Sequence, residues 1–381
     1  MNSMIYLDYN ASTPIDPVVR DAMLPFLGEM HGNPTSSHAL GKRMRQAVDD
    51  AREQVAALIG SSPEEIIFTS GGTEANNHVI KGVAHTHRKR GKHIITSAVE
   101  HPAVRNPCKF LEQLGYEVTY VPVDSTGWID PQAVAEAVRP DTILISIMHA
   151  NNEVGTIQDI SQIAEIAQQA GALMHTDAAQ SVGKIATRVD ELGVDFLTIA
   201  GHKIYAPQGI GALYVRRGAE LEPLLHGAGH EQDRRSGTEA VPAIVGLGVA
   251  AELAQRSLPN TRVTLLRDRL YDGLSGALGD DVVLLGHPTK RLSSTCCVGF
   301  RGRVGGEILA VCPQICASTG AACHSGKARR SATLTAMNVP EEIAFGAVRF
   351  SIGRPTTEDE IDRAVEQVVA SVRRGADAPI V

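Results

Sequence analysis

Phe196-Leu197-Thr198-Ile199-Ala200-Gly201-His202-Lys203 is a short apolar run that ends on a glycine, a histidine and a lysine. Such a run reads as a buried strand, and Lys203 is the residue it delivers just past its carboxyl end. Gly201 permits close backbone approach, and partial desolvation there favours the neutral, nucleophilic amine over the ammonium. A second run, Leu173-Met174-His175-Thr176, ends on Asp177. A lysine suited to a Schiff base, with a carboxylate delivered by another strand, is the pair that pyridoxal phosphate requires: one forms the covalent link and the other faces the ring nitrogen.

Working outward, further apolar runs lie at 66–69, 93–96, 118–121 and 143–147, alternating with helical periodicities. One such helix carries Ile160, Ile163, Ala164, Ile166 and Ala167 on a shared face and stops at Gly171. This alternation predicts an α/β fold with a largely parallel sheet flanked by helices, with the chemical residues just after the strands. The pattern breaks at Ser257-Leu258-Pro259-Asn260. We therefore expect a large domain over 15–257 and a smaller α+β domain made of 1–14 and 258–381.

The 381 residues carry 36 basic and 43 acidic side chains, a net charge of −7, which gives no long-range attraction for nucleic acid or an anionic membrane. The amino-terminal residues have no basic segment followed by an apolar one, and no stretch has the length of a membrane span, so a cytoplasmic location is expected. The six cysteines are then expected to stay reduced. Cys312 and Cys316 sit in an apolar setting and read as core thiols, so no metal site is expected.

Several segments carry chemistry. Ser70-Gly71-Gly72-Thr73-Glu74 follows a strand and opens a helix, a geometry that binds phosphate through free amides and the Thr73 hydroxyl, although alone it is also an ordinary glycine turn. His101, after the strand at 93–96, is placed to stack on a pyridine ring and exchange protons. Gln180 lies on the same helical face as Asp177 and can donate to a ring oxygen. Asn152 and Arg354 each follow a strand, and an arginine fork suits an α-carboxylate, so these two are expected to hold one. Gly320-Ala321-Ala322-Cys323-His324-Ser325-Gly326-Lys327 sets a cysteine among small residues and next to Lys327, Arg329 and Arg330, a setting that favours thiolate.

Taken in order, Tyr6–Pro14, Gly32-Asn33-Pro34, Thr69–Asn77, Val99-Glu100-His101, Ala150–Glu153, Thr176–Gln180, Gly201-His202-Lys203, Arg235–Glu239 and Ser351–Arg354 closely resemble the NifS-like cysteine desulfurases. These belong to the class-V aminotransferase group of fold-type I pyridoxal-phosphate enzymes, which also contains selenocysteine lyase. The resemblance spans nearly the whole chain and implies a seven-stranded, mostly parallel sheet.

It implies that Lys203 is the Schiff-base lysine, Asp177 the pyridinium partner, His101 the stacking imidazole and Gln180 the partner of the phenolic oxygen. Cys323 becomes the sulfur acceptor. Gly72, Thr73, His202 and, from a second subunit, Thr238 are implied to hold the phosphate, which makes the protein a homodimer. Asn10, Asn152 and Arg354 are implied at the substrate. The implied activity converts L-cysteine to L-alanine and leaves the sulfur as a Cys323 persulfide, for iron–sulfur clusters or other thio-cofactors, with a sulfur-acceptor or scaffold protein as partner. The chain departs from many relatives in having Ala200 in place of a serine, which removes one phosphate hydrogen bond. Its nucleophile loop resembles that of selenocysteine lyase, so release of selenium from L-selenocysteine is the alternative activity. A non-catalytic sulfur-relay scaffold is the third reading.

Overall fold

The computed structural model describes residues 4–319, 321–324 and 327–374. After a two-residue strand, β1 (Ile5–Tyr6), the chain builds one large sheet from β2 (Ile66–Thr69), β3 (His93–Ser97), β4 (Glu117–Val121), β5 (Thr142–Ser146), β6 (Leu173–Asp177), β7 (Phe196–Ala200) and β8 (Gly211–Val215). The strand order is β2-β8-β7-β6-β5-β3-β4. Only β8 runs antiparallel to its neighbours; the other pairs are parallel.

Both faces of this sheet are covered, which is why β2, β5 and β7 are buried along their whole length and read as continuous apolar runs. On β2, Ile66 and Phe68 enter the core that holds Val48, Val55 and Leu247, whereas Ile67 enters the core with Val79, Val83 and Val104. Helices Ala39–Ile59 and Val241–Arg256 pack closely on the first face. A Cβ added at Gly248 would lie 2.7 Å from Ala51, so glycine sets that approach.

From β4 the chain returns past β3 to form β5, and the strand order reverses there. Open α/β sheets bind ligands outside the carboxyl ends of strands at such a reversal. His101 follows β3, Asn152 follows β5, Asp177 ends β6 and Lys203 follows β7, so sequence positions far apart converge on one edge.

The remaining chain forms β9 (Val282–Leu285), β10 (Thr295–Phe300), β11 (Ile315–Cys316), β12 (Ser318–Thr319), β13 (Ala321–His324), β14 (Lys327–Arg330) and β15 (Ala347–Ser351). A four-stranded antiparallel sheet has the order β12-β15-β10-β9. Helices Thr261–Leu278 and Glu358–Arg374 contribute Leu266, Leu270, Ile361 and Val368 to its core with Phe300 and Phe350. Ile5 and Leu7 join the same core, because β1 pairs in parallel with β11. This docking fixes Asp8 to Thr13, the segment that next crosses the carboxyl edge of the large sheet. β13 and β14 form a separate antiparallel hairpin in which Cys323 pairs with Ala328.

Candidate active site

The 3-10 turn Gly201–Lys203 directly after β7 aims the Lys203 side chain at the amino-terminal segment. Its Nζ donates to the carbonyl oxygens of Asn10 at 2.6 Å and Ala11 at 2.8 Å. Burial pushes its pKa down to about 8, and the nearby Arg349 guanidinium acts in the same direction, against the pull of Asp177 and Asp8. A group of this kind is a strong nucleophile near neutral pH.

Asp177 is buried at the end of β6, and its carboxylate accepts the side-chain amide of Asn76 at 2.7 Å and the backbone N–H of Ala179 at 3.0 Å. Two neutral donors hold the carboxylate in place at the edge of the cavity. Asn76 stands on the helix Gly72–His87, whose N-terminus carries no side-chain cap. Gly71 occupies that cap at φ 142°, a conformation that excludes side chains, so the first amides of a 16-residue helix are open to an anion. Gly72 and Thr73 line the cavity at this end.

His101 caps helix Pro102–Glu112, its Nδ1 accepting from Ala103 N–H at 3.1 Å. That bond needs the Nδ1 lone pair, so the proton of the neutral ring resides on Nε2. Burial lowers its pKa, and Lys203 adds to the lowering while Asp177 opposes it. His202, also in the cavity, has its pKa pushed down to about 4 by burial and by Lys203 and Lys184, so it acts as a neutral hydrogen-bonding group near pH 7.

Lys203, Asp177, Asn76, His101, His202, Gln180, Asn152, Asn10, Gly72, Thr73 and Ala200 all border one cavity of about 400 Å³, within the range of cofactor pockets. Beneath it, Glu100 is fully buried and burial raises its pKa to about 8. Ser97 Oγ and Met148 N–H both donate to its Oε1, at 2.6 and 2.9 Å.

The arginine at this cavity is Arg349, where the sequence reading expected Arg354. Arg349 lies on β15 and its fork reaches Asp8 at 2.7 Å, the Asn152 carbonyl at 2.9 Å and Ser318 Oγ at 3.0 Å. Its Nε is buried without a hydrogen-bond partner. Arg354 instead stacks on the Tyr205 ring at 3.9 Å and pairs with Asp16 at 3.1 Å. A ring face and a carboxylate satisfy it outside the large cavity, beside a smaller one that Lys203 also borders. Asn10 borders the cavity and is 1% exposed, with every polar group engaged. It donates to Thr295 and Asn152 and accepts from Gln180, Lys184 and Lys203, which makes it a hub that positions others. Thr238 is exposed and does not border the cavity of its own chain. Cys323 lies in the β13–β14 hairpin, and its side chain lies outside the described residues. The hairpin begins two residues after β12, whose Ser318 touches Arg349.

Asn76, Arg349 and Lys184 do not follow a buried apolar run and so stand outside the strand-end pattern. Period-two alternation on β15 was the available signal: Arg349 sits two residues from Ser351, whose Oγ accepts Asn10 N–H at 2.9 Å, so both face the amino-terminal segment.

A desolvated lysine, an anchored carboxylate and an open helix N-terminus on the carboxyl edge of a parallel sheet define the class. The chain belongs to the class-V aminotransferase family, which it matches over residues 5–364. Within that family it is similar to the cysteine desulfurase IscS of Dictyoglomus turgidum, with 47% identity over 98% of this chain and 96% of that protein. A solved NifS-like protein superposes with a TM-score of 0.91 at 37% identity, covering 97% of this chain and all of the other. The structure of SspA in complex with cysteine matches with a TM-score of 0.82 at 38% identity, over 91% of this chain and 98% of that one.

Proposed function

We propose that this chain is a cytoplasmic, homodimeric cysteine desulfurase that converts L-cysteine to L-alanine and retains the sulfur as a persulfide on Cys323. The observation that carries this reading is the joint placement of Lys203, Asp177, His101 and Arg349 around one cavity.

The donor set fits pyridoxal phosphate. Lys203 would supply the amine, the Asn76-anchored Asp177 would pair with the ring nitrogen, Gln180 would offer a donor to the ring oxygen, and the open helix end with Thr73 and His202 would take the phosphate. The buried, unpartnered Arg349 Nε and Asn76 Oδ1 mark groups that gain partners when the cavity fills. When bound, the cofactor supplies an electron sink conjugated to the substrate Cα. Thr238, exposed on its own subunit, is assigned to the phosphate of the partner subunit's site.

The chain's residues then divide the work. Arg349 and Asn152 receive the α-carboxylate, a fork geometry that a guanidinium provides and an ammonium does not. The free Lys203 amine would be the base that takes the Cα proton. His101 would hold the cofactor ring, its own proton being on Nε2. The Cys323 thiolate attacks the substrate sulfur. The S–S bond forms as Cβ–S breaks, with the electron pair passing to Cβ, which takes a proton and leaves as the methyl group of alanine.

Among the described cysteines, burial pushes Cys108 and Cys297 up to about 12 and Cys296 to about 11. Thiols so raised are poor nucleophiles, which supports Cys323 as the acceptor.

Mass spectrometry after incubation with L-cysteine tests the proposal: one added sulfur atom is expected on the peptide containing Cys323. Persulfide on another cysteine, or wild-type sulfur release by Cys323→Ala, refutes it. Turnover of L-selenocysteine with none of L-cysteine would establish the lyase instead.

A further inference from the structure

A second lysine stands behind the first. Gly183 adopts φ 72° in the turn that follows Gln180, where a Cβ would lie 2.9 Å from Ile204, so glycine alone fits without a shift. The turn aims Lys184 inward. Its Nζ donates to Gln180 Oε1 at 2.7 Å and to Asn10 Oδ1 at 3.1 Å. Lys184 and Lys203 both border a second, much smaller cavity of about 40 Å³.

Burial pushes the Lys184 pKa down to about 7, with Lys203 and Arg349 acting the same way; below that pH the group is an ammonium, which donates and never accepts. The oxygen of each amide must therefore face Lys184, and the nitrogen must turn away. For Gln180 this orientation sends Nε2 to the Asn10 carbonyl at 3.0 Å. Nε2 carries two hydrogens, so one remains for the cavity that Gln180 borders. For Asn10 the orientation sends Nδ2 to Thr295 Oγ1 at 2.9 Å and to the Asn152 carbonyl at 3.2 Å. The same Asn10 carbonyl receives Lys203 Nζ. Every bond in this cluster agrees with the polarity that Lys184 imposes.

We propose that Lys184 is a positioning residue for the reaction: it fixes the side-chain amide of Gln180 so that a donor, and never an acceptor, faces the ring oxygen of the cofactor. Without it Gln180 Oε1 loses its donor, and the Asn10 carbonyl that accepts Nε2 is the remaining contact that holds the amide in this orientation. The other charges nearby are Lys203, Arg349, Asp177 and Asp8, none of which bonds to Gln180 Oε1. The inference rests on the cofactor assignment made above.

The test uses the purified holoenzyme and its visible absorbance, titrated with pH in the absence of substrate. Loss of a donor to the ring oxygen strengthens that oxygen's hold on the proton it shares with the Lys203 nitrogen. In Lys184→Met the spectral midpoint should therefore rise by on the order of one pH unit. Lys184→Arg, which keeps the charge and the donors, should retain the wild-type midpoint. Lys184→Gln, read in the same way, serves if the methionine variant does not fold, and should also shift upward. In a Gln180→Ala background the methionine substitution should move nothing further, because Lys184 acts through Gln180. An unchanged midpoint in both charge-free variants, or an equal shift when Gln180 is absent, overturns the proposal. A wild-type protein without the visible band refutes the cofactor assignment itself, which is a separate outcome.

Discussion

Arg349 should do two things, and replacing it with methionine separates them. Besides the proposed fork to the substrate carboxylate, its charge is the largest influence after burial that lowers the Lys203 pKa. At about 8, against an ordinary lysine value of 10.5, the Lys203 amine is neutral in about a quarter of molecules at pH 7.5. An unperturbed lysine would be neutral in about 0.1% there. Arg349→Met leaves Asp177 and Asp8 unopposed, and removal of one nearby cation moves such a group by on the order of one unit. The neutral fraction at pH 7.5 then falls to about 3%, roughly eightfold lower. The assay is stopped-flow binding of pyridoxal phosphate to the cofactor-free protein, followed at the visible band over a range of pH. The wild-type rate should rise with a midpoint near 8, and the variant's curve should move to higher pH with the same plateau. If the two midpoints coincide, or if the wild type titrates near the ordinary lysine value, the electrostatic reasoning about Lys203 is wrong.

Asn76→Ala removes one of two donors to a buried carboxylate and should cost about 1–3 kcal/mol in thermal unfolding of the cofactor-free protein, with weaker cofactor binding by equilibrium dialysis. Glu100, raised to about 8 by burial, binds its proton more tightly folded than unfolded, so its contribution is fully present below about pH 4.5 and is lost as the pH rises through 8. Urea unfolding across that window should show stability falling for the wild type and a flatter profile for Glu100→Gln.

The chemistry at the strand ends was legible in the sequence because buried parallel strands announce themselves. Phe196–Ala200 and Leu173–Asp177 open on apolar residues and are buried along nearly their whole length, and the polar residue that ends or follows such a run sits at the carboxyl edge. Lys203, Asp177 and His101 were found that way, and the uncapped Gly71-Gly72-Thr73 turn by its glycines. The same grounds do not find the arginine at the large cavity. Arg349 lies inside β15 and Arg354 three residues past its end, and the strand-end pattern points to the one that follows the strand. What decides between them is a partner: Tyr205 lies under Arg354 only because the turn after Lys203 brings it there.

Local pattern therefore determined the strands, the helices, the turn that receives an anion and the lysine that names the class, since each depends on neighbours in the chain. Tertiary structure alone decided which polar groups meet. Asn76 reaches Asp177 across 101 positions, and Asn10 meets Lys184 and Lys203 across 174 and 193. These contacts arise where β1 docks against β11 and carries Asp8 to Thr13 across the sheet edge. A buried polar atom must find a partner wherever the fold offers one, and no periodicity in the sequence records where that is.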